Sequence, residues 1–593
     1  MLKLRTPLLL LLAVPLVMIA QMDPAGEWIV RQHEDQPERG AGPELGDYLG
    51  LPINNADRQR ADSWDASLLT LQEWQCRPHP ADYGSRGPAN LRFWRDIDTA
   101  TQEVIAYHTM VQWQNQIRTI WMDGRPHPPA EAPHTWQGFS TGKWEGNMLT
   151  VYTTHLKAGY IRRNGVARSD EATMTEHWIR HENYLTLFQI IDDPVYLTEP
   201  MVRSTDWEGA PDQHIDPYPC EVTEEINRPE GVIPHHLPGT NTFITEFADR
   251  FKLPVNATRG GAVTMYPEYK LKAATAQPAS TPAVTQDAKR AWDPTKTGEI
   301  RALQVRGNVY LLSGAGANIT LQFGKEGVML VDTGMAGISD NVLAAIRKLT
   351  DAPIHWLIDT SADPDHVGGN AVIRKAGATI AGGDMTRSLD AGDSEAGAQV
   401  IANEGVLERL SARVDDKSVT PFEAWPTETF RLKKRDMFFN DEAVQLLSQP
   451  AAHTDGDVIV FFRRSDVVST GDVFVPTNYP VIDLARGGSI NGEIAALNRI
   501  IDVTVPAVKE EGGTMVVPGH GRICDEADVA DYRDMITIIR DRVQALIKEG
   551  KTLEQVKAAR PTMDYDPRFG TNQGKWTTDM FVEAVYQSLK QTS

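Results

Sequence analysis

Residues 359–370 read Asp359-Thr-Ser-Ala-Asp-Pro-Asp-His-Val-Gly-Gly-Asn370 and close the apolar run that begins at Pro353. A short apolar run ending in such a loop reads as a buried strand that delivers a functional turn. The loop offers the carboxylates Asp363 and Asp365 and the imidazole His366, followed at once by Gly368-Gly369. Strand ends hold side chains rigidly, and glycines permit the tight turns that let several loops converge. Carboxylate oxygens and neutral histidine nitrogens bind zinc at about 2.0–2.2 Å, so this is a candidate metal loop.

Four more loops carry the same residue types in chain order: Leu330-Val-Asp-Thr-Gly334, Ala452-His-Thr-Asp-Gly-Asp457, Ser469-Thr-Gly-Asp472 and Pro518-Gly-His-Gly521. Together the five resemble the metal-binding loops of the metallo-β-lactamase superfamily, whose usual leading motif is Thr-His-x-His-x-Asp-His-x-Gly-Gly. Asp365, His366, Gly368 and Gly369 match that motif, whereas Ser361 and Asp363 stand where the two leading histidines belong. The resemblance implies an αββα sandwich over residues 298–525. It also implies metal ligands among Asp363, Asp365, His366, His453, Asp472 and His520, with Asp332 orienting the cluster from behind.

What the metal would do follows from the family likeness. One pocket keeps Asp365, His366, Asp472 and His520; the other keeps His453 and Asp472, with Asp363 as a substitute carboxylate and Ser361 a very weak ligand. The expectation is zinc, one per chain, activating water for attack on an ester, amide, lactone, thioester or phosphoester, with Asp365 as the catalytic carboxylate. If Asp363 ligates as well, a second metal enters, and iron or manganese gains because carboxylates are harder ligands than imidazole. Flavodiiron proteins are similar in placing a carboxylate at that position, but no flavodoxin-like domain is evident here. A third reading is a metal-poor or inactive relative kept as a binding or scaffold protein. No nucleophile-elbow glycine pattern surrounds Ser361, which argues against a serine hydrolase.

Around these loops the chain alternates apolar strands and helices from about Gly298, as a layered α/β core requires. Strands are expected near Val328–Gly334, Val458–Arg463, Asp466–Asp472 and Thr514–Val517, and helices near Ile338–Leu349 and Gly492–Val508. A helical extension, 526–593, contains expected helices at Asp531–Glu549, from the capping box Thr552–Gln555, and at Thr577–Lys590.

The N-terminal half is built differently. Residues 21–270 hold ten of the chain's fourteen tryptophans, and aromatic, β-branched runs recur at Leu91–Asp98, Glu103–Trp113, Trp144–His155 and Ala172–Ile191. Turn signals at Glu145-Gly146-Asn147 and His181-Glu182-Asn183 divide them, so an antiparallel all-β sandwich or barrel is expected. Its histidines, including His79, His127, His134, His155, His177 and His181, form no tight ligand spacing and read as hydrogen-bonded or surface groups. Residues 271–297, rich in Ala, Thr, Pro and Gln, read as a linker.

The chain opens with Lys3 and Arg5 and then fourteen apolar residues, Pro7–Ala20. Spanning a bilayer takes roughly 20, so residues 1–20 read as a signal peptide and the protein as periplasmic or secreted. Export permits a disulfide, for which Cys76 and Cys220 are the pair expected from shared domain membership, leaving Cys524 alone. The net charge of −21, or −23 without Lys3 and Arg5, argues against nucleic acid or an anionic membrane as partner. A small-molecule substrate is the expected partner.

Overall fold

A computed structural model describes residues 23–31, 43–86, 90–112, 116–216, 219–229, 231–272, 298–379, 397–414, 417–418, 420–509 and 512–591. The expected signal peptide, Trp113 and residues 273–297 of the expected linker lie outside the described residues. No helix among them is long and apolar enough to cross a membrane.

The N-terminal half is a closed nine-stranded barrel. Closure comes from Gly26–Val30, which pairs with Leu91–Ile97 on one side and Met201–Gly209 on the other. Strand neighbours are antiparallel, except that Ile117–Trp121 pairs in parallel with Phe139–Glu145, which corrects the all-antiparallel expectation. The stretch 172–191 is a hairpin, Thr173–His181 with Tyr184–Asp192, turning at the anticipated residues with Glu182 in the left-handed region. The second anticipated turn also forms, so Glu145 ends one strand and Met148 begins the next. Alternation of apolar and polar residues along these strands sends Leu185 and Leu187 inward beside Trp28, Phe93, Trp178 and Trp207. Trp178 and Trp207 stack with centroids 5.7 Å apart. The barrel also buries Arg118 with Glu176, a pair completed by the hydroxyls of Ser140 and Thr153 at 3.1 and 2.8 Å. Burial of either ion alone would cost several kcal/mol.

The C-terminal half carries two facing sheets. A seven-stranded sheet runs from Arg301–Arg306 to Glu428–Phe430, parallel only across Gly327–Val331, Ile354–Ile358, Gln399–Asn403 and Glu428–Phe430. The six-stranded sheet contains Asp457–Phe462, Val467–Ser469 and Met515–Val517, the last two parallel. Val331, Ile358, Ile401, Val460 and Val517 belong to the apolar layer between the sheets. Helices Ser339–Leu349 and Asn370–Ala376 cover the outer face of the first sheet through Val342, Ile346 and Ile373. Ile490–Val503, Glu526–Lys548 and Thr578–Gln591 cover the second.

Helix Glu526–Lys548 begins five residues earlier than its periodicity predicts. Asp525 caps it and Asp528 reciprocates, an aspartate version of the capping box, while Thr552 and Gln555 form the anticipated one. This long helix joins the halves. Lys157 reaches Asp525 and Asp528 at 2.7 and 2.8 Å, Arg77 pairs with Asp531 at 2.7 Å, and Trp74 Nε1 donates to Asp534 at 2.7 Å. Cys76 and Cys220 form a disulfide, and Cys524 is a buried thiol.

Candidate metal centre

The six candidate ligands converge from four loops, three of them at the carboxyl ends of parallel strands and His453 from the turn before Asp457–Phe462. Asp363, Asp365 and His366 follow Ile354–Ile358 on the single turn Pro364–Val367. Asp472 follows Val467–Ser469, and His520 follows Met515–Val517. The ligand atoms of Asp365, His366 and His520 lie within 4.8 Å of one another, as do those of Asp363, His453 and Asp472. These are the two such groups among the described residues, and neither draws on the barrel's histidines. His127, for example, is occupied by Thr154 and Thr141 at 2.7 and 2.9 Å.

Asp332 sits behind the cluster with a left-handed φ of 64°. Its carboxylate accepts from Thr360 N at 2.8 Å, Thr360 Oγ1 at 2.7 Å and His366 Nδ1 at 2.7 Å. That last bond fixes the proton on Nδ1, so a neutral His366 presents the lone pair of Nε2 forward. Nε2 points at Asp472 Oδ1, 3.2 Å away, and neither atom makes a hydrogen bond to any other group among the described residues. Two buried acceptors face each other stably only with a cation between them or a proton on the ring. Burial opposes that proton, but Asp472 and Asp332 overcome it and lift the His366 imidazolium well above its ordinary range. Asp472, despite burial, is held far below the usual carboxylate range by His366 and His520. His520 Nε2 lies 3.3 Å from Asp365 Oδ2 and 3.5 Å from Asp472 Oδ1. Gly519 is obligatory beside it, because a Cβ there would overlap Asp472 Oδ1. This donor set, two imidazoles and two carboxylates around an orphaned pair, fits a metal ion.

The other pocket is different. His453 Nδ1 donates to the Val481 carbonyl at 2.7 Å and turns Nε2 toward Asp363 Oδ2 at 2.8 Å. Burial lowers the His453 imidazolium, yet the bond to Asp363 and the charges of Asp457 and Asp472 raise it to about 10. The other oxygen of Asp363 accepts from Arg486 at 2.9 Å. Against the cost of burial, His453 holds Asp363 down at about 2. A guanidinium and an imidazole thus already neutralise the carboxylate that would replace the missing histidine. Ser361 Oγ donates to Asp363 at 3.2 Å and accepts from its backbone N–H, the turn-capping role rather than a ligand's. Arg486, in Leu484-Ala-Arg-Gly487, belongs to no motif and was invisible in the sequence; Thr360 had only its place beside the loop to mark it.

The family model of the metallo-beta-lactamase superfamily matches residues 312–520, so the resemblance carried by the five loops holds for the C-terminal half. Among solved structures, the stereoselective inverting sec-alkylsulfatase Pisa1 from Pseudomonas sp. is similar at 16% identity and a TM-score of 0.38. That match covers 49% of this chain and 50% of the sulfatase, so the chain spans about half the length of that relative. A metallo-beta-lactamase from Pontibacter korlensis matches at 15% identity and a TM-score of 0.30, covering 40% of this chain and 98% of its own. The DIM-1 metallo-beta-lactamase does so at 15% and 0.30, covering 40% and 97%. No curated protein sequence matches the chain.

Proposed function

We propose that this protein is an exported metal-dependent hydrolase holding one metal ion, zinc, through Asp365, His366, Asp472 and His520. The observation that carries the reading is the buried pair His366 Nε2 and Asp472 Oδ1, facing each other at 3.2 Å with no hydrogen bond to any other group among the described residues. Bound there, the ion would acidify a water molecule and orient it for attack. The chain's own residues prepare that chemistry. Asp332 fixes the His366 tautomer and ring plane. Asp365 stays ionised, because its bond to His520 and the charge of His366 outweigh burial, so it is suited to accept a proton at the site. The helices outside and sheets inside support the αββα sandwich expected from the family.

The engagement of Asp363 by Arg486 and His453 favours one ion over two. It equally supports the alternative of a metal-poor binding relative, since the pocket's charges balance without an ion. The disulfide within the N-terminal half supports export, which the apolar leader also fits. We place the domain limits at 21–270 for the barrel, 271–297 for a linker, 298–525 for the metal-binding domain and 526–593 for the helical extension. The test is hydrolysis of a panel of aryl esters, thioesters, lactones and phosphodiesters by zinc-reconstituted protein. Turnover lost in His520→Ala supports the hydrolase; no turnover of any class, with zinc bound, supports the binding relative.

A further inference from the structure

Between the barrel half and the C-terminal helices lies a cavity of about 450 Å³, within the range of small-molecule sites. Trp64, Trp74, Trp136 and Tyr160 line it from the N-terminal half; Tyr565 and Phe569 face them from the tail. The walls are fixed rather than collapsed. Trp74 is anchored to Asp534, Trp64 Nε1 donates to Tyr160 at 3.2 Å, and the Cys76–Cys220 disulfide borders the chamber. None of these groups belongs to the metal centre, although Pro476 and Arg522 bring the wall to the loops that carry Asp472 and His520.

The charges in the lining are almost all spoken for. Arg77 pairs with Asp531 at 2.7 Å, Arg168 with Asp82 at 3.0 Å, and Arg568 and Arg522 with Asp170 at 2.6 and 3.3 Å. Among the cations of the lining, Arg60 is the exception. Its guanidinium lies over the Tyr565 ring, 4.6 Å from the centroid, and makes no hydrogen bond or ion pair among the described residues. Asp564, the carboxylate whose field reaches it, is already bound in two-pronged fashion to Arg542 at 2.6 and 2.9 Å. A half-buried guanidinium whose nearest carboxylate is already engaged by Arg542 keeps donors for a further anion, so an apolar chamber holding one is complementary to an anion with an apolar body. The exposed rim carries Leu69, Glu221 and Glu225, whose charges disfavour ligands with several negative groups.

We infer that this cavity binds a small hydrophobic organic anion, an aryl or acyl chain bearing a single carboxylate or similar head, with Arg60 as the head-group contact. The inference does not depend on the hydrolase reading.

Isothermal titration calorimetry on the full chain tests it, with 4-biphenylcarboxylate and dodecanoate as probes and biphenyl-4-methanol as the uncharged control. At least one carboxylate is expected to bind one per chain, about tenfold or more tighter than the alcohol, as a charge-assisted contact requires. Whichever carboxylate binds better tells an aryl from an acyl body. Arg60→Met should reduce carboxylate affinity to that of the alcohol, and Arg60→Lys should keep most of it. Leu69→Glu, a rim change that spares the core, should weaken the carboxylate several-fold and leave the alcohol unaffected. His520→Ala should bind like the wild type. Absence of carboxylate binding, equal binding of the alcohol, undiminished binding by Arg60→Met, or loss in His520→Ala would each overturn the inference.

Discussion

Replacing Asp332 by asparagine tests how the metal centre is organised without touching a proposed ligand. The position has φ of 64°, and asparagine tolerates the left-handed region as aspartate does, so the backbone is not strained by the exchange. What changes is charge and polarity. The aspartate receives three hydrogen bonds, at 2.8, 2.7 and 2.7 Å; an amide keeps one accepting oxygen and turns an NH₂ group toward donors. His366 then loses the partner that holds its proton on Nδ1, and with it the forward lone pair and the ring orientation. Disruption of such supporting contacts lowers metal affinity by about 10–100-fold, or about 1.4–2.7 kcal/mol. The assay is competition for zinc against a fluorescent chelator, with circular dichroism to confirm that the fold persists. A folded Asp332→Asn protein whose zinc affinity stays within about threefold of wild type would refute the reasoning.

Three other perturbations bear on separate parts of the account. Arg486→Met removes the guanidinium from Asp363 and should raise the metal content of reconstituted protein above one per chain, read by elemental mass spectrometry; an unchanged value means Arg486 does not close that pocket. Burial, then the charge of Arg163, depresses the His79 imidazole to about 4, so its neutral form favours folding above pH 6.5. That contribution, up to about 3 kcal/mol before screening, should fade as pH falls through 4; His79→Gln should flatten the fall in melting temperature between pH 7 and 4, and parallel curves would count against it. The Cys76–Cys220 bridge closes a loop with sequence separation 144. Chain entropy assigns it up to about 5 kcal/mol, so Cys76→Ser should lower the denaturation midpoint, and identical midpoints under oxidising conditions would show that the bridge contributes nothing.

The ligand loops were legible because their chemistry is local: carboxylate, imidazole and glycine within a few residues, after an apolar run. The true start of helix Glu526–Lys548 is hidden in the sequence because its capping box uses Asp528, not the glutamate or glutamine that marks such boxes, and its first turn carries polar residues. Closure of the N-terminal half into a barrel rests on Gly26–Val30 meeting Met201–Gly209, a pairing across most of the domain that no local pattern encodes. The parallel pairing of Ile117–Trp121 was hidden for the same reason. Arg486 reaches Asp363 across 123 residues and carries no motif, so only the folded chain reveals the pocket's neutralisation. The contacts of Trp74, Arg77 and Lys157 with the last third of the chain are likewise products of docking.

The most direct measurement is metal content by elemental mass spectrometry, on protein purified without chelators or a histidine tag and then reloaded with zinc. About one ion per chain is expected from the single orphaned pair, and none in His520→Ala. Wild-type protein that takes up no zinc after reloading would contradict the account at its centre.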